Sequence, residues 1–278
     1  MKIRHAATHR MRCLLRTSMM VAPVMTVLLL PSSSFAQAAR PASRIKKPLI
    51  YQIGNAVHIN AEGPRPLLQA LDALQGKYGW MVDYEDPQYP AESDAANPPA
   101  LPQRRHPNLS NSRRESFSVE FSAGPAPDST PDESSVLAAV VDAYNQGNAS
   151  GQFELRNKNE RQQADRFAVV GIGVHGQNDE VISQQPILDR AITLTRESRT
   201  AEQTIVLICQ KLSEGSNLPV TAEIAGSLRA RGKVVAGGTG VPARTLLSRA
   251  LPDKTGWRLL YDASGKRYEL RVAELRRD

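Results

Sequence analysis

The sequence predicts an α+β fold of tandem βαβ-type modules, about four helix-strand units laid on small mixed sheets. Three observations predict it. One frame occurs twice without gaps: Ala73-Leu74-Gln75-Gly76-Lys77-Tyr78-Gly79-Trp80, followed by Tyr84, is answered by Ala250-Leu251-Pro252-Asp253-Lys254-Thr255-Gly256-Trp257, followed by Tyr261. In each copy leucines at helical spacing run into a glycine, beyond which large apolar residues alternate, the pattern of helix, stop and strand. Two further stretches, 130 to 155 and 200 to 220, follow the same plan without the tryptophan. The order of elements then reads β-α-β-β-α-β-β in both halves, once a Pro-rich segment of the first half is treated as an insertion.

Residues 1–38 carry the features of a cleavable secretory signal peptide. Lys2, Arg4, Arg10, Arg12 and Arg16 lead, Met19 to Leu30 is almost wholly apolar, and Ser34-Phe35-Ala36-Gln37-Ala38 offers small residues for cleavage near Ala36 or Ala38. The apolar run falls short of the roughly 20 residues that span a bilayer, so cleavage is favoured over an uncleaved anchor and no transmembrane segment is expected in the mature chain. The chain has 35 basic and 28 acidic residues, and the leader holds five of the basic ones and no acidic one. A mature net charge of +2 gives no reason to invoke nucleic acid. Secretion or a periplasmic location is the expectation. Only Cys209 remains after cleavage, so the fold rests on apolar burial without an internal disulfide. Ile205, Ile208 and Leu212 surround that cysteine at helical spacing, which reads as a buried small hydrophobe.

The elements follow in order. Residues 39–48 are polar and basic and read as a flexible leash. Leu49 to Ile59 carries Ile53, Val57 and Ile59 around Gly54-Asn55, as one strand or a small hairpin. Gly63-Pro64-Arg65-Pro66 signals a helix start, because proline is tolerated where its missing N–H is unneeded. Leu67, Leu71, Leu74 and Tyr78 form that helix's buried stripe, and Trp80, Val82 and Tyr84 one face of the strand beyond. Residues 85–115 lose periodicity and hold six prolines between Pro87 and Pro107, so a long loop is expected there. Arg104-Arg105-His106 and Arg113-Arg114 make it locally basic, which fits a solvated loop better than an anion site.

Phe117, Val119 and Phe121 alternate as a strand. Thr130-Pro131-Asp132-Glu133 suggests a capping box, Thr130 capping and proline at the first helical position, for a helix through Val136, Leu137, Val140, Val141 and Tyr144 to Gly147. Phe153 and Leu155, then Phe167 and Val169, read as a hairpin. Residues 176–189 look like a connector between a first module, 49–175, and a second, 190–278. In the second, Ile192 and Leu194 form a strand, Thr200-Ala201-Glu202-Gln203 caps a helix stopping near Gly215, and Leu218 and Val220 form a strand. Lys233 to Ala236 is another, Pro242 to Leu251 a helix, and Trp257, Leu259 and Tyr261 pair with Tyr268, Leu270 and Val272.

Residues 190 to 274 resemble a specific family. A strand, a capped helix ending in glycine, a strand, then Gly232-Lys233-Val234-Val235-Ala236 leading through Val241-Pro242 into Leu246-Leu247 and Ala250-Leu251 and on to Gly256-Trp257 resembles the short periplasmic domain at the N-termini of secretins and TonB-dependent receptors. The resemblance implies two βα-type units packing helices on small sheets, and a role in binding partner proteins without catalysis. Those families continue into a membrane barrel and this sequence ends at Asp278, so neither pore formation nor receptor transport is implied. The chain also resembles secreted bacterial proteins sharing the Tyr-Gly-Trp and Trp-x-x-x-Tyr signatures, a likeness that carries no activity.

Few residues offer chemistry. Gly171-Ile172-Gly173-Val174-His175-Gly176 matches a dinucleotide fingerprint, but Gln177-Asn178-Asp179 starts no helix to meet a pyrophosphate, so a glycine-rich strand end is favoured and no cofactor is expected. Gly237-Gly238-Thr239-Gly240 precedes a helix without the Gly-Lys-Ser/Thr of a phosphate loop, and reads as a flexible helix start. His58, His106 and His175 lie far apart without partners at ligand spacing, so no metal is expected. No catalytic set is assigned: Ser43-Arg44-Ile45-Lys46 lies in the leash and no Gly-x-Ser-x-Gly occurs. Tyr84-Glu85-Asp86 and Tyr261-Asp262 place carboxylates beside aromatic strand ends. Trp80, Tyr84, Glu85, Asp86, Trp257 and Tyr261 are therefore the candidate binding residues, with plain core as the competing account. The sequence reading favours a non-catalytic exported module acting through contacts with an envelope or secreted protein, at an exposed sheet edge by strand addition. The alternative is a binder of sugar or peptide, or a hydrolase, with its site between the halves, the 85–115 loop as lid and Tyr84-Glu85-Asp86 as polar wall.

Overall fold

A computed structural model describes residues 49–90, 115–124, 130–147, 150–157, 166–176, 180–229, 232–252 and 255–274. The expected signal peptide, the leash, the basic clusters at 104–106 and 113–114 and most of the Pro-rich insertion lie outside the described residues. So do 177–179 of the expected connector.

The first half runs β1 (Leu49–Ile53), β2 (Ala56–Gly63), α1 (Pro66–Tyr78), β3 (Val82–Glu85), β4 (Glu115–Ser122), α2 (Glu133–Gln146), β5 (Gly151–Asn157), β6 (Phe167–His175) and β7 (Val181–Ser183). The second runs β8 (Ala191–Thr200), α3 (Ala201–Ser216), β9 (Val220–Ile224), a short α4 (Gly226–Arg229), β10 (Lys233–Pro242), α5 (Ala243–Ala250), β11 (Thr255–Asp262) and β12 (Arg267–Glu274). The α+β class and the repeated β-α-β-β-α-β-β order are both present.

Local chemistry sets the element ends. β1 and β2 form a hairpin whose Gly54 takes φ +59 at the first of two turn positions, where a side chain would be strained. Pro66 opens α1, and Gly79 closes it in the left-handed conformation (φ 73), its N–H donating to Gln75 O at 2.8 Å. The second copy of the repeated frame ends differently. α5 stops at Ala250, Leu251 is extended ahead of Pro252, and Gly256 is a strand residue opposite Ala273. There the proline, not the glycine, ends the helix.

The capping box expected of Thr130 is corrected: Asp132 is the N-cap of α2, its Oδ2 accepting from Ser135 N (2.8 Å) and Oγ (2.6 Å). Starting after Pro131 keeps that ring out of the helix and places a negative charge at the positive helix end. The Thr200/Gln203 box of α3 forms in full, with both bonds at 3.1 Å. That helix passes Gly215 and closes at Asn217 (φ 58). The glycine run 237–240 is no flexible helix start; it is bulged strand within β10, and a Cβ at Gly237 would lie 2.6 Å from Arg196 Cα on β8. The connector region itself supplies β7 and a 3-10 turn, Ile187–Asp189.

Each half repeats one topology. β2 pairs antiparallel with β4, as β8 does with β10. β3 lies parallel to β6, which pairs antiparallel with β5; β9 lies parallel to β12, which pairs antiparallel with β11. β11 and β12 take the expected register, Trp257 opposite Val272, Leu259 opposite Leu270 and Tyr261 opposite Tyr268. The two triplets fuse into one seven-stranded sheet, β5-β6-β3-β11-β12-β9, with β7 on the far end of β6. The joint is a parallel pairing of β3 with β11, the strands that follow the two copies of the repeated frame. The small sheets, β1-β2-β4 and β10-β8, stay separate, and among the described residues β1 has no counterpart in the second half.

Two apolar cores result. One gathers Leu67, Leu71, Leu74, Trp80, Leu137, Val140 and Phe153; the other gathers Ile205, Ile208, Leu212, Leu246, Trp257, Leu259 and Leu270. Alternation on the strands and i, i+3, i+4 spacing on the helices turn these residues inward.

Candidate functional site

The join between the halves holds the charged residues that are buried among the described ones, Asp83, Glu85, Asp86 and Arg166. β3 and the residue after it contribute Asp83, Glu85 and Asp86, which are 1%, 0% and 1% exposed, so all three carboxyl groups are out of water. Burial of such groups requires partners, and each finds them across the joint. The β3–β11 ladder is short, Arg258 opposite Tyr84 and Leu259 opposite Glu85, with Asp86 N donating to Leu259 O at 2.9 Å. Side chains continue it at both ends. Asp83 Oδ1 accepts from Trp257 N (3.0 Å) and Asp86 Oδ2 from Tyr261 N (2.9 Å).

Guanidinium groups complete the join. Arg65, from the turn before α1, donates through Nε to Asp86 Oδ2 and through Nη2 to Tyr261 O, both at 2.7 Å. Tyr84 Oη donates to Asp86 Oδ1 at 2.7 Å. Arg166, at the start of β6, reaches Asp83 Oδ1 (3.3 Å) and Thr255 O. Arg244, in the first turn of α5, holds Glu85 Oε2 and donates through Nε to Asp189 Oδ1 at 2.9 Å, and its guanidinium lies 5.5 Å from the Trp257 ring centre. Asp189 Oδ2 accepts from Arg156 Nη1 at 2.6 Å, and Arg156 also pairs with Glu154. Leu188 N donates to Glu85 Oε1 at 3.1 Å. Arg258 reaches back across the join to Val82 O, Asp72 and Gln75.

The carboxyl groups are all partnered, while Arg166 Nε and Arg244 Nη1 are buried without an acceptor among the described residues. Burial raises the Glu85 carboxyl above its ordinary value, although the Arg244 guanidinium and the Leu188 amide pull the other way. Burial also acts to raise Asp189, but bonds and charge from Arg156 and Arg244 hold that carboxyl below its ordinary value. Burial, then the Asp86 charge, lifts the Tyr84 phenol well above its usual range, so it stays a hydrogen-bond donor. Burial pushes the Cys209 thiol up to about 12, which leaves a packing residue with little thiolate.

All six candidate binding residues are buried. Tyr84, Glu85, Asp86, Trp257 and Tyr261 meet at the join, three through side chains and Trp257 and Tyr261 largely through backbone. Trp80 stands apart in the first core, stacked on Tyr78 with ring centres 4.6 Å apart. A ligand could reach Glu85 or Asp86 only by parting the halves. Asp83, Arg65, Arg156, Arg166, Asp189 and Arg244 were not singled out in the sequence; a run of three acids in four residues on one strand was the available signal.

The glycine fingerprint serves packing. A Cβ at Gly171 would overlap the backbone nitrogen of Pro87, and one at Gly173 would lie 2.8 Å from Ile182 O, so both glycines admit a neighbouring chain against β6. Among the described residues no three His, Cys, Asp or Glu side chains converge as metal ligands, and no helix is long and apolar enough to cross a membrane.

The sheet edges offer the other candidate surface. Of the six large hydrophobic side chains exposed among the described residues, five lie on β1, β7 or β10: Tyr51, Ile53, Val181, Ile182 and Val235. The end strands of the large sheet are blunted instead. Asn145 donates to Phe153 O (2.8 Å) and accepts from Phe153 N (3.0 Å) on β5, and Ser213 Oγ accepts from Val220 N (2.8 Å) on β9. A search against known proteins finds no matching family model, no matching curated protein and no matching solved structure.

Proposed function

We propose that the chain is a non-catalytic, exported protein-interaction module that receives an extended segment of an envelope or secreted partner on an edge of its small sheets. The observation that carries this reading is the placement of exposed aliphatic side chains on strands with an unpaired side, Ile53 at 64% and Val235 at 59% exposed. An edge of this kind is a template for a further strand, and proteins ordinarily cover or charge it unless it is used. The carboxyl groups that would otherwise suggest chemistry, Asp83, Glu85 and Asp86, are held by arginines and main-chain amides inside the join. The resemblance of residues 190–274 to the short periplasmic domain of secretins and receptors belongs to the same proposal.

Photo-crosslinking in the producing cells tests it. With p-benzoylphenylalanine at Ile53 on β1, Thr193 on β8 or Val235 on β10, at least one position is expected to give a discrete adduct that is absent when the label sits at Gln210 on the exposed face of α3. Equal labelling at position 210, or no adduct at any of the three edges, refutes the reading.

A further inference from the structure

The two halves differ at one place that their common topology makes comparable. Ile59 on β2 and Leu194 on β8 each stand seven residues before the first residue of their helix, and Val57 and Ile192 each stand nine before it. These pairs are equivalent inward positions beneath α1 and α3. In the first half β1 runs antiparallel along the outer side of β2, setting Ile50 opposite Ile59 and Gln52 opposite Val57, and Ile50 packs against the core. Ile59 and Val57 are then 0% exposed.

Among the described residues the second half has no such strand. Leu194 remains 5% and Ile192 8% exposed. Beside Ile192 lies a groove of about 610 Å³, bordered by Arg190, Ala191, Ile192 and Thr193 around the start of β8 and by Lys211, Leu212 and Glu214 on α3, where Lys211 Nζ donates to Glu214 Oε2 at 2.6 Å. Arg190 donates through Nη1 to Gly215 O, while its buried Nε has no acceptor among the described residues.

We infer that the outer edge of β8 is the docking edge, and that its occupant is one extended segment of a partner protein, added antiparallel as β1 is added to β2. The inference rests on the proposed function and names its site. The segment carries an apolar side chain opposite Leu194, the place Ile50 takes in the other half, and an acidic residue toward Arg190, whose Nε is the unpaired donor. Main-chain bonds supply affinity, and the apolar contact with the flanking charges supplies selectivity.

The test uses the whole purified chain and a synthetic peptide, Glu-Leu-Ile-Tyr-Gln-Ile-Glu, which is the β1 sequence with a glutamate at each end. Saturating peptide is expected to slow amide exchange at residues 192–196 about tenfold, whereas a peptide with proline in place of its first isoleucine does not. Lys211→Glu, on the exposed side of α3, is expected to weaken peptide binding about threefold without changing the circular dichroism spectrum. Protection appearing on β1, β7 or β10 and not on β8 overturns the β8 assignment while leaving strand acceptance standing. A doubled mass in the absence of peptide, with the same β8 amides protected, overturns it by showing a second copy to be the occupant. No protection at any edge also overturns it, and the crosslinking result then decides the broader reading separately.

Discussion

The interior of each half and the join between them use different physics. Inside a half, Leu67, Leu71, Leu74 and Leu137, or Ile205, Ile208, Leu212 and Leu246, exclude water by shape and apolar area. At the join, Asp83, Glu85 and Asp86 meet arginines from three other segments, and a ladder of two residue pairs is extended by carboxylate oxygens. Apolar packing tolerates many arrangements, whereas buried ions tolerate those in which each charge finds its partner. The difference teaches that apolar packing fills the body of each half while the buried ions fix how the halves register.

The sharpest way to break the comparison is Asp86→Ala. It removes the acceptor of Arg65, Tyr84 Oη and Tyr261 N together, and is expected to cost about 3–5 kcal/mol in urea unfolding because a half-buried guanidinium loses its carboxylate while a buried hydroxyl and a buried amide lose their acceptor. Exchange protection should fall on both sides of the join, in β3 and β11 alike; a loss confined to the first half would contradict the role assigned to it. Leu137→Ala is the apolar counterpart, expected to cost about 2–5 kcal/mol through the cavity it leaves. Its exchange effects should concentrate in α2, β4 and β5, and an equal loss in α3 and α5 would show the cores to be coupled.

Thr200→Ala deletes half of the capping box and should lower stability by about 1 kcal/mol, read as faster exchange in the first turn of α3. pH separates two carboxyl groups of the network. Glu85 has its folded value raised, so its contribution declines as pH rises from the ordinary carboxylate range through that folded value. Asp189 has its folded value lowered, so its contribution is present above the ordinary range and is lost as pH falls through the folded value. In urea titrations, Glu85→Gln should therefore gain on the parent protein as pH rises, and Asp189→Asn should gain on it as pH falls. Smallest for stability is Ile53→Lys on β1, expected within about 0.5 kcal/mol of the parent because the side chain already faces water.

Much of the fold was legible because its signals are local. The α3 box spans four residues, the β11–β12 hairpin alternates on both sides of its turn, and the leucines of α1 mark their own face. The Asp132 cap was misassigned by two residues because Thr, Asp and Pro all favour a helix start, and only geometry decides among them. The glycines of β10 resembled a loop because nothing nearby in sequence shows that Arg196 will crowd them. The join escaped for a related reason. Glu85 and Arg244 are separated by 159 residues, and Trp257 and Asp83 by 174, so no periodicity links them. Glu85 and Asp86 were singled out as chemically unusual, but whether such acids face solvent or guanidinium depends on how the halves meet.

The fusion of the two triplets is head to tail: the β3 side of one receives the β11 side of the other. A union of that kind has no internal terminus, since each added unit would present the same vacant flank as the last, as in an open filament. Here the carboxamide of Asn145 and the hydroxyl of Ser213 occupy main-chain valences at the two outermost strands. With those valences taken, neither Phe153 on one flank nor the amide of Val220 on the other is open to a third triplet.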